Sequence, residues 1–130
     1  MKLFLFTLLP IFFTHLIHGQ ENLEKMNPPR PFDNVHIERI GGDNLSTQFV
    51  IWVKDTVRTH KHEKHSESLY VLEGKGTFYL NKKSLKIEAG DFITIPKNTW
   101  HAVKVTSKEP LKVISIQSPS FYGKDRIFKD

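Results

Sequence analysis

Histidine is concentrated in one short stretch of this 130-residue chain. Thr59-His60-Lys61-His62-Glu63-Lys64-His65 places three imidazoles within six residues, Glu67 follows, and His101 stands alone downstream. A neutral imidazole offers a ring-nitrogen lone pair and a carboxylate offers a hard oxygen, and together they suit first-row divalent transition metals. If residues 60–62 are extended, side chains at i and i+2 share a face, so His60 and His62 point the same way. They would lie ~7 Å apart along an ideal strand, so both reach one ion only where the strand bends toward it. Glu67 could add a carboxylate, and His101, from a distant element, could close the set. Three nitrogens and one oxygen leave positions for water or substrate and do not choose between manganese, iron, nickel, copper and zinc. The chain has no cysteine, which excludes disulfides, thiolate-ligated zinc or iron–sulfur sites, and thiol nucleophiles.

The same residues have plainer readings. Glu67 taken alone is a surface carboxylate beside Lys64, and only its place after the two histidines makes it a ligand candidate. His101 could equally be a hydrogen-bonded core histidine. His65, in the turn between candidate ligands, reads as an exposed loop histidine, with a gate or general-base role at a pocket mouth as the alternative. Arg58 shares a strand face with His60 and His62. If that face is interior, its guanidinium could hold a substrate carboxylate; otherwise it makes a structural ion pair or lies outside. Tyr70, Phe78, Phe92 and Trp100 read as core and rim packing, and His36 as a surface strand residue. Arg58, His65 and Tyr70 are therefore the candidates for catalytic contact, with Glu63 nearby, but no complete acid–base constellation is identified.

The elements that must position these groups are short. Apolar alternations run over 35–40, 47–53, 56–60, 68–73, 76–81, 84–89, 91–96, 101–106 and 111–117, separated by Gly-, Pro- and Asn-bearing turns. Spacing of about 8–12 residues, period two, and β-branched or aromatic content predict an all-β sandwich or barrel. Lysines on the polar positions of these segments (Lys82, Lys86, Lys104, Lys112) suit protection of sheet edges. The domain is expected over 35–118, preceded by a Pro-rich arm at 20–34 and followed by a tail at 119–130. The tail is expected to lie across the outside of the barrel or a partner subunit, with no chemistry assigned to it. Residues 1–19 carry Lys2, an apolar run and a small terminal residue, the layout of a signal peptide rather than a membrane span. A secreted or periplasmic protein, off the membrane after cleavage, is expected. The net charge of +5 is spread along the strands, without aromatic residues interleaved as a base-stacking groove would need, so nucleic-acid binding is not expected.

Taken together, His60-x-His62-x4-Glu67-x6-Gly74 and Gly90-x5-Pro96-x-Asn98-x2-His101 resemble the two motifs of the cupin superfamily. Residues 54–105 carry the motifs, and the strand rhythm extends the resemblance over roughly 35–118. Lys54 stands where the first motif often has glycine, Asn98 replaces the turn glycine of the second, and Val105 replaces its closing asparagine. Asparagine is the residue that best substitutes for glycine at positive φ. The resemblance implies a single jelly-roll β-barrel (double-stranded β-helix) with a divalent metal held by His60, His62, Glu67 and His101. It also implies a small oxygen-chelating organic substrate for a dioxygenase, decarboxylase or isomerase type of reaction. The alternatives are a non-catalytic small-ligand or sugar-binding module and a metal that only fastens the fold. Small relatives of this kind often pair as homodimers.

Overall fold

The computed structural model describes residues 19–129, so the leader read at 1–19 lies, apart from Gly19, outside the described residues. Each alternating segment becomes a strand: β1 (Val35–Gly42), β2 (Thr47–Val53), β3 (Thr56–Lys61), β4 (Ser66–Glu73), β5 (Lys75–Leu80), β6 (Lys83–Glu88), β7 (Phe92–Ile95), β8 (His101–Val105) and β9 (Leu111–Ser118). A tenth, β10 (Ile127–Phe128), lies in the tail. The strands form two five-stranded sheets, ordered β1-β2-β9-β4-β7 and β10-β3-β8-β5-β6. The chain passes repeatedly between them, and the result is a jelly roll, the fold that the sequence resemblance implies. No helix among the described residues is long and apolar enough to cross a membrane.

Two turns have backbone requirements that bear on the site. Gly74 takes φ 82° between β4 and β5, and a Cβ there would meet the Pro110 carbonyl at 2.8 Å and Leu111 Cα at 2.9 Å. Only glycine fits both the conformation and the space. Asn98, before β8, takes φ 60°, as expected for the residue standing in for a turn glycine. Its N–H donates to the His62 carbonyl at 2.6 Å. That bond ties the turn leading to His101 directly to the stretch carrying His62.

Inward positions of both sheets meet in a core that includes Leu69, Val71, Phe78, Ile93, Val103 and Val113. Each such side chain contributes about 1.5–3 kcal/mol over remaining in water. Val105 faces inward with His101 and Val103, so the position of the missing asparagine is part of this apolar core.

The Pro-rich arm corrects two expectations. Lys112 was expected on an exposed polar position, yet it is among the most buried side chains. Strand alternation does place it on an outer face, but the arm covers that face. Its ammonium donates to the carbonyls of Glu24 (3.1 Å) and Met26 (2.7 Å) and lies over the Trp52 ring. These partners offset the cost of burying the charge. His36 is likewise half-buried rather than superficial, with Phe32 and Trp52 on either side at ring separations of 5.8 and 5.7 Å. Lys82 and Lys86 are exposed beside and on the edge strand β6, as edge protection requires, whereas Lys104 is exposed on the central strand β8 and guards no edge.

Candidate metal centre

The site is assembled from both sheets. His60 on β3 is directly opposite His101 on β8 in antiparallel register, and their rings are 4.2 Å apart. His62 follows just beyond the end of β3. Glu67 comes from the other sheet, at the start of β4, where it pairs with Gln117 of β9. All four side chains are buried. The three imidazoles each bring a ring nitrogen within 4.8 Å of the others.

Each ring is locked by its other nitrogen. His60 Nδ1 donates to the Arg58 carbonyl at 2.8 Å, His101 Nδ1 to the Thr99 carbonyl at 2.9 Å, and His62 Nδ1 to the Asp125 carbonyl. Carbonyls only accept, so in the neutral rings the proton resides on Nδ1 and Nε2 carries the lone pair. Two of those nitrogens face Glu67 Oε2, His101 Nε2 at 3.4 Å and His62 Nε2 at 3.6 Å. His101 Nε2 is buried without a hydrogen-bond partner. Burial, then the charge of His101, pushes His60 down to about 4, so His60 is neutral near pH 7.

Glu67 is held from behind: Ser115 Oγ donates to its Oε1, and Gln117 Nε2 donates to the same oxygen at 3.2 Å. Burial pushes its carboxyl up, but hydrogen bonding with His101, His62 and Ser115 outweighs this and keeps it well below the usual carboxylate range. The result is a buried carboxylate gathered with three imidazole nitrogens in one pocket. A divalent transition metal fits this donor set of three imidazole nitrogens and one carboxylate.

The other candidates separate clearly. Arg58 lines the cavity beside His60, but its residue is exposed, and the guanidinium lies 5.0 Å from the centre of the Phe128 ring. It is a mouth residue rather than a buried one. Tyr70 does not reach the site: on β4 it is three residues from Glu67, so period two sends it to the outer face, where it is 42% exposed. Phe92 is also outside, Trp100 lies near Lys61 and Lys129, and Phe78 alone of the four aromatics lines the cavity, stacked near His101. Glu63 is exposed and paired with Lys61 at 3.0 Å.

His65 is the clearest correction. It is buried, with Nδ1 donating to Asp125 Oδ2 at 2.9 Å and its ring 4.2 Å from that of His62. Asp125 also accepts the backbone N–H groups of Glu63 (3.0 Å), Lys64 (2.8 Å) and His65 (3.2 Å). The turn that looked exposed is capped by the tail. Burial, then the charge of His62, pushes His65 down to about 4. Burial raises the Asp125 carboxyl, but the backbone N–H groups of Glu63 and Lys64 and the charge of His65 hold it below its ordinary value.

The tail thus supplies residues to which no chemistry had been assigned. β10 pairs with β3, bringing Phe128 opposite His60, and Arg126 and Phe128 line the cavity. A two-residue strand is too short to leave a periodic signal. Ser115 and Gln117 did leave one: they are polar residues on the inward face of an otherwise apolar strand. The cavity itself has a volume of about 270 Å³ and runs from the histidines along Leu69, Ile93, Val103 and Val113.

Comparison with known proteins places this geometry. A protein of Aquifex aeolicus (strain VF5) is 37% identical over 84 residues, covering 65% of this chain and 68% of that one. Quercetin 2,3-dioxygenase of Bacillus subtilis (strain 168) is 27% identical over 95 residues, 69% of this chain but only 28% of the dioxygenase. Among solved structures, a Klebsiella pneumoniae protein with a double-stranded β-helix domain superposes with a TM-score of 0.73, covering 87% of this chain and 98% of that one. Its 14% identity speaks for the fold alone. Kinship is decided by the match to the Cupin domain over residues 48–117, a span that holds the whole histidine site: this chain belongs to the cupin family.

Proposed function

We propose that the protein binds one divalent transition metal through His60, His62, Glu67 and His101 and acts on a small organic molecule that chelates through oxygen. The observation that carries this reading is the convergence of three buried imidazoles, His101 Nε2 among them without a hydrogen-bond partner, on the Glu67 carboxylate at 3.4 Å. When bound, such an ion supplies Lewis acidity, or a redox centre if the element allows it. The chain's own groups do the rest. The Arg58, Thr99 and Asp125 carbonyls fix the tautomers, Ser115 and Gln117 orient Glu67, and the apolar wall limits access of water. The kinship with quercetin 2,3-dioxygenase supports a small organic substrate and a dioxygenase type of reaction, with decarboxylase and isomerase types as the other forms of the same reading.

A second reading, a metal-stabilised binding module without turnover, is favoured by one feature. Apart from the proposed ligands, the only ionisable side chains lining the cavity among the described residues are Arg58 and Arg126, and neither is a proton acceptor near pH 7. We further propose that the protein is exported, which the N-terminal sequence of the secreted or periplasmic form would test.

The deciding experiment is elemental analysis of protein purified without a histidine tag, beside His62→Ala. About one equivalent of a transition metal, lost in the variant, is the expected result. No metal in either protein after reconstitution overturns the reading. Given metal, substrate turnover screened under dioxygen and under nitrogen separates an enzyme from a binding module.

A further inference from the structure

Two guanidiniums open onto the same cavity as the histidine site, and among the described residues neither has a carboxylate at ion-pair distance. Arg58 is steadied by Phe128 and Arg126 by Phe121, at 5.0 and 5.8 Å from the ring centres. Stacking orients a guanidinium while leaving its N–H donors free. Arg126 Nε is buried with no hydrogen-bond partner. Behind the arginines and histidines, the 270 Å³ cavity is walled almost entirely by aliphatic side chains and Phe78. Well-packed interiors hold few voids larger than a water molecule, so a space of this size and lining is suited to an apolar guest.

From this juxtaposition we propose that the ligand is an amphipathic carboxylate, with an aryl or alkyl body in the aliphatic cavity and an anionic head held by Arg58 and Arg126. The guanidinium fork matches a carboxylate in a way that a hydroxyl-rich sugar does not exploit, and the aliphatic wall leaves a sugar's hydroxyls unpaired. The electrostatics agree. A divalent ion with three neutral imidazoles and one carboxylate keeps one formal positive charge, and two guanidiniums add to it, so the mouth attracts anions. The proposal deepens the metal reading above and rests on it for the charge beside the head.

The test uses the untagged chain, zinc-loaded and metal-free, titrated calorimetrically with benzoate, with its neutral isostere benzamide, and with acetate, which has the head but no body. Wild type is expected to bind benzoate at least tenfold more tightly than either benzamide or acetate. Arg126→Gln and Arg58→Gln should each weaken benzoate about tenfold while leaving benzamide unchanged, and Arg126→Lys should recover part of the loss. Equal affinity for benzoate and benzamide in wild type overturns the proposal, and that comparison needs no variant to fold. Unchanged benzoate affinity in folded Arg126→Gln also overturns it. Metal content of the same samples separates the two readings. Metal retained without benzoate preference removes the carboxylate ligand and leaves the metal centre. Arginine-dependent benzoate binding by a chain that takes up no metal supports the clamp and removes the metal centre.

Discussion

Two groups of buried histidines share His62 and use the same kinds of atoms, yet they differ in how their hydrogen bonds close. In one, the Asp125 carboxylate takes three backbone N–H groups and the His65 Nδ1 proton, while the Asp125 backbone carbonyl takes the Nδ1 proton of His62. In the other, His60, His62 and His101 direct Nδ1 at backbone carbonyls, and His62 and His101 turn Nε2 toward Glu67 Oε2. Both groups have the proximity a metal needs. Each leaves one buried ring nitrogen without a partner, His65 Nε2 in the first and His101 Nε2 in the second. But the first carboxylate is filled by N–H donors, whereas Glu67 Oε2 meets imidazole nitrogens alone. The surroundings of the carboxylate therefore separate a structural network from a candidate centre where residue type does not.

The largest effect should come from removing a donor of the second group. His101→Ala or Glu67→Gln is expected to reduce metal content from about one equivalent to a small fraction. The loss of affinity should exceed the about 100-fold that changes behind the ligands typically cause. Because ligand binding stabilises only the folded state, stripping metal from wild type should cost about 4 kcal/mol where free metal stands near 1,000 times its Kd. A Tm that does not change on chelation would erase the distinction between the two groups.

Asp125→Ala makes the opposite demand. It removes the acceptor for three backbone N–H groups and His65, and it should cost about 2–3 kcal/mol in a denaturant melt. The His62 Nδ1 bond goes to the backbone carbonyl of residue 125, which alanine retains. Metal stoichiometry should therefore stay near one. Loss of metal from folded Asp125→Ala would show that the two groups act as a single unit.

How far these groups could be read in advance follows from the range of each interaction. The strands from β1 to β9 were legible because each repeats its side-chain alternation over several residues, and Asn98 was legible because few residues accept a positive φ. Tyr70 was misplaced although the same period-two rule, applied from Glu67, puts it outside. Asp125 was not legible: it meets Glu63 across 62 residues from a tail with no periodic pattern. Burial of His65 and Lys112 was hidden for the same reason, since each is covered by an irregular segment whose docking depends on tertiary contacts.

Acid should sharpen the comparison through both groups at once. Burial holds His60 and His65 near 4 in the folded chain, against an ordinary value of 6.5. Between those values the unfolded chain binds more protons, so stability present above about 6.5 is lost as pH falls toward 4. The depressed carboxyl of Asp125 extends the loss below its ordinary value. Metal-free protein should therefore show a Tm that falls steadily from pH 6.5 to 4. His65→Phe should flatten part of that slope, whereas a slope identical to wild type would place the acid sensitivity elsewhere.

Lys112 provides the smallest expected effect and a control for the comparison. It is a third buried polar cluster, on the far side of β9, where its ammonium meets two carbonyls of the arm. Lys112→Met removes a buried charge together with its hydrogen bonds and keeps most of the apolar stem over Trp52. Such exchanges come out near neutral because the lost bonds and the relieved desolvation offset each other. Global stability should change by no more than about 1 kcal/mol, and metal content should not change. The arm loses its anchor, so limited proteolysis within 20–34 should accelerate while the barrel stays intact. Unaltered cleavage in that variant would mean that the arm is held by Phe32 against His36 and Lys54 rather than by the buried ammonium.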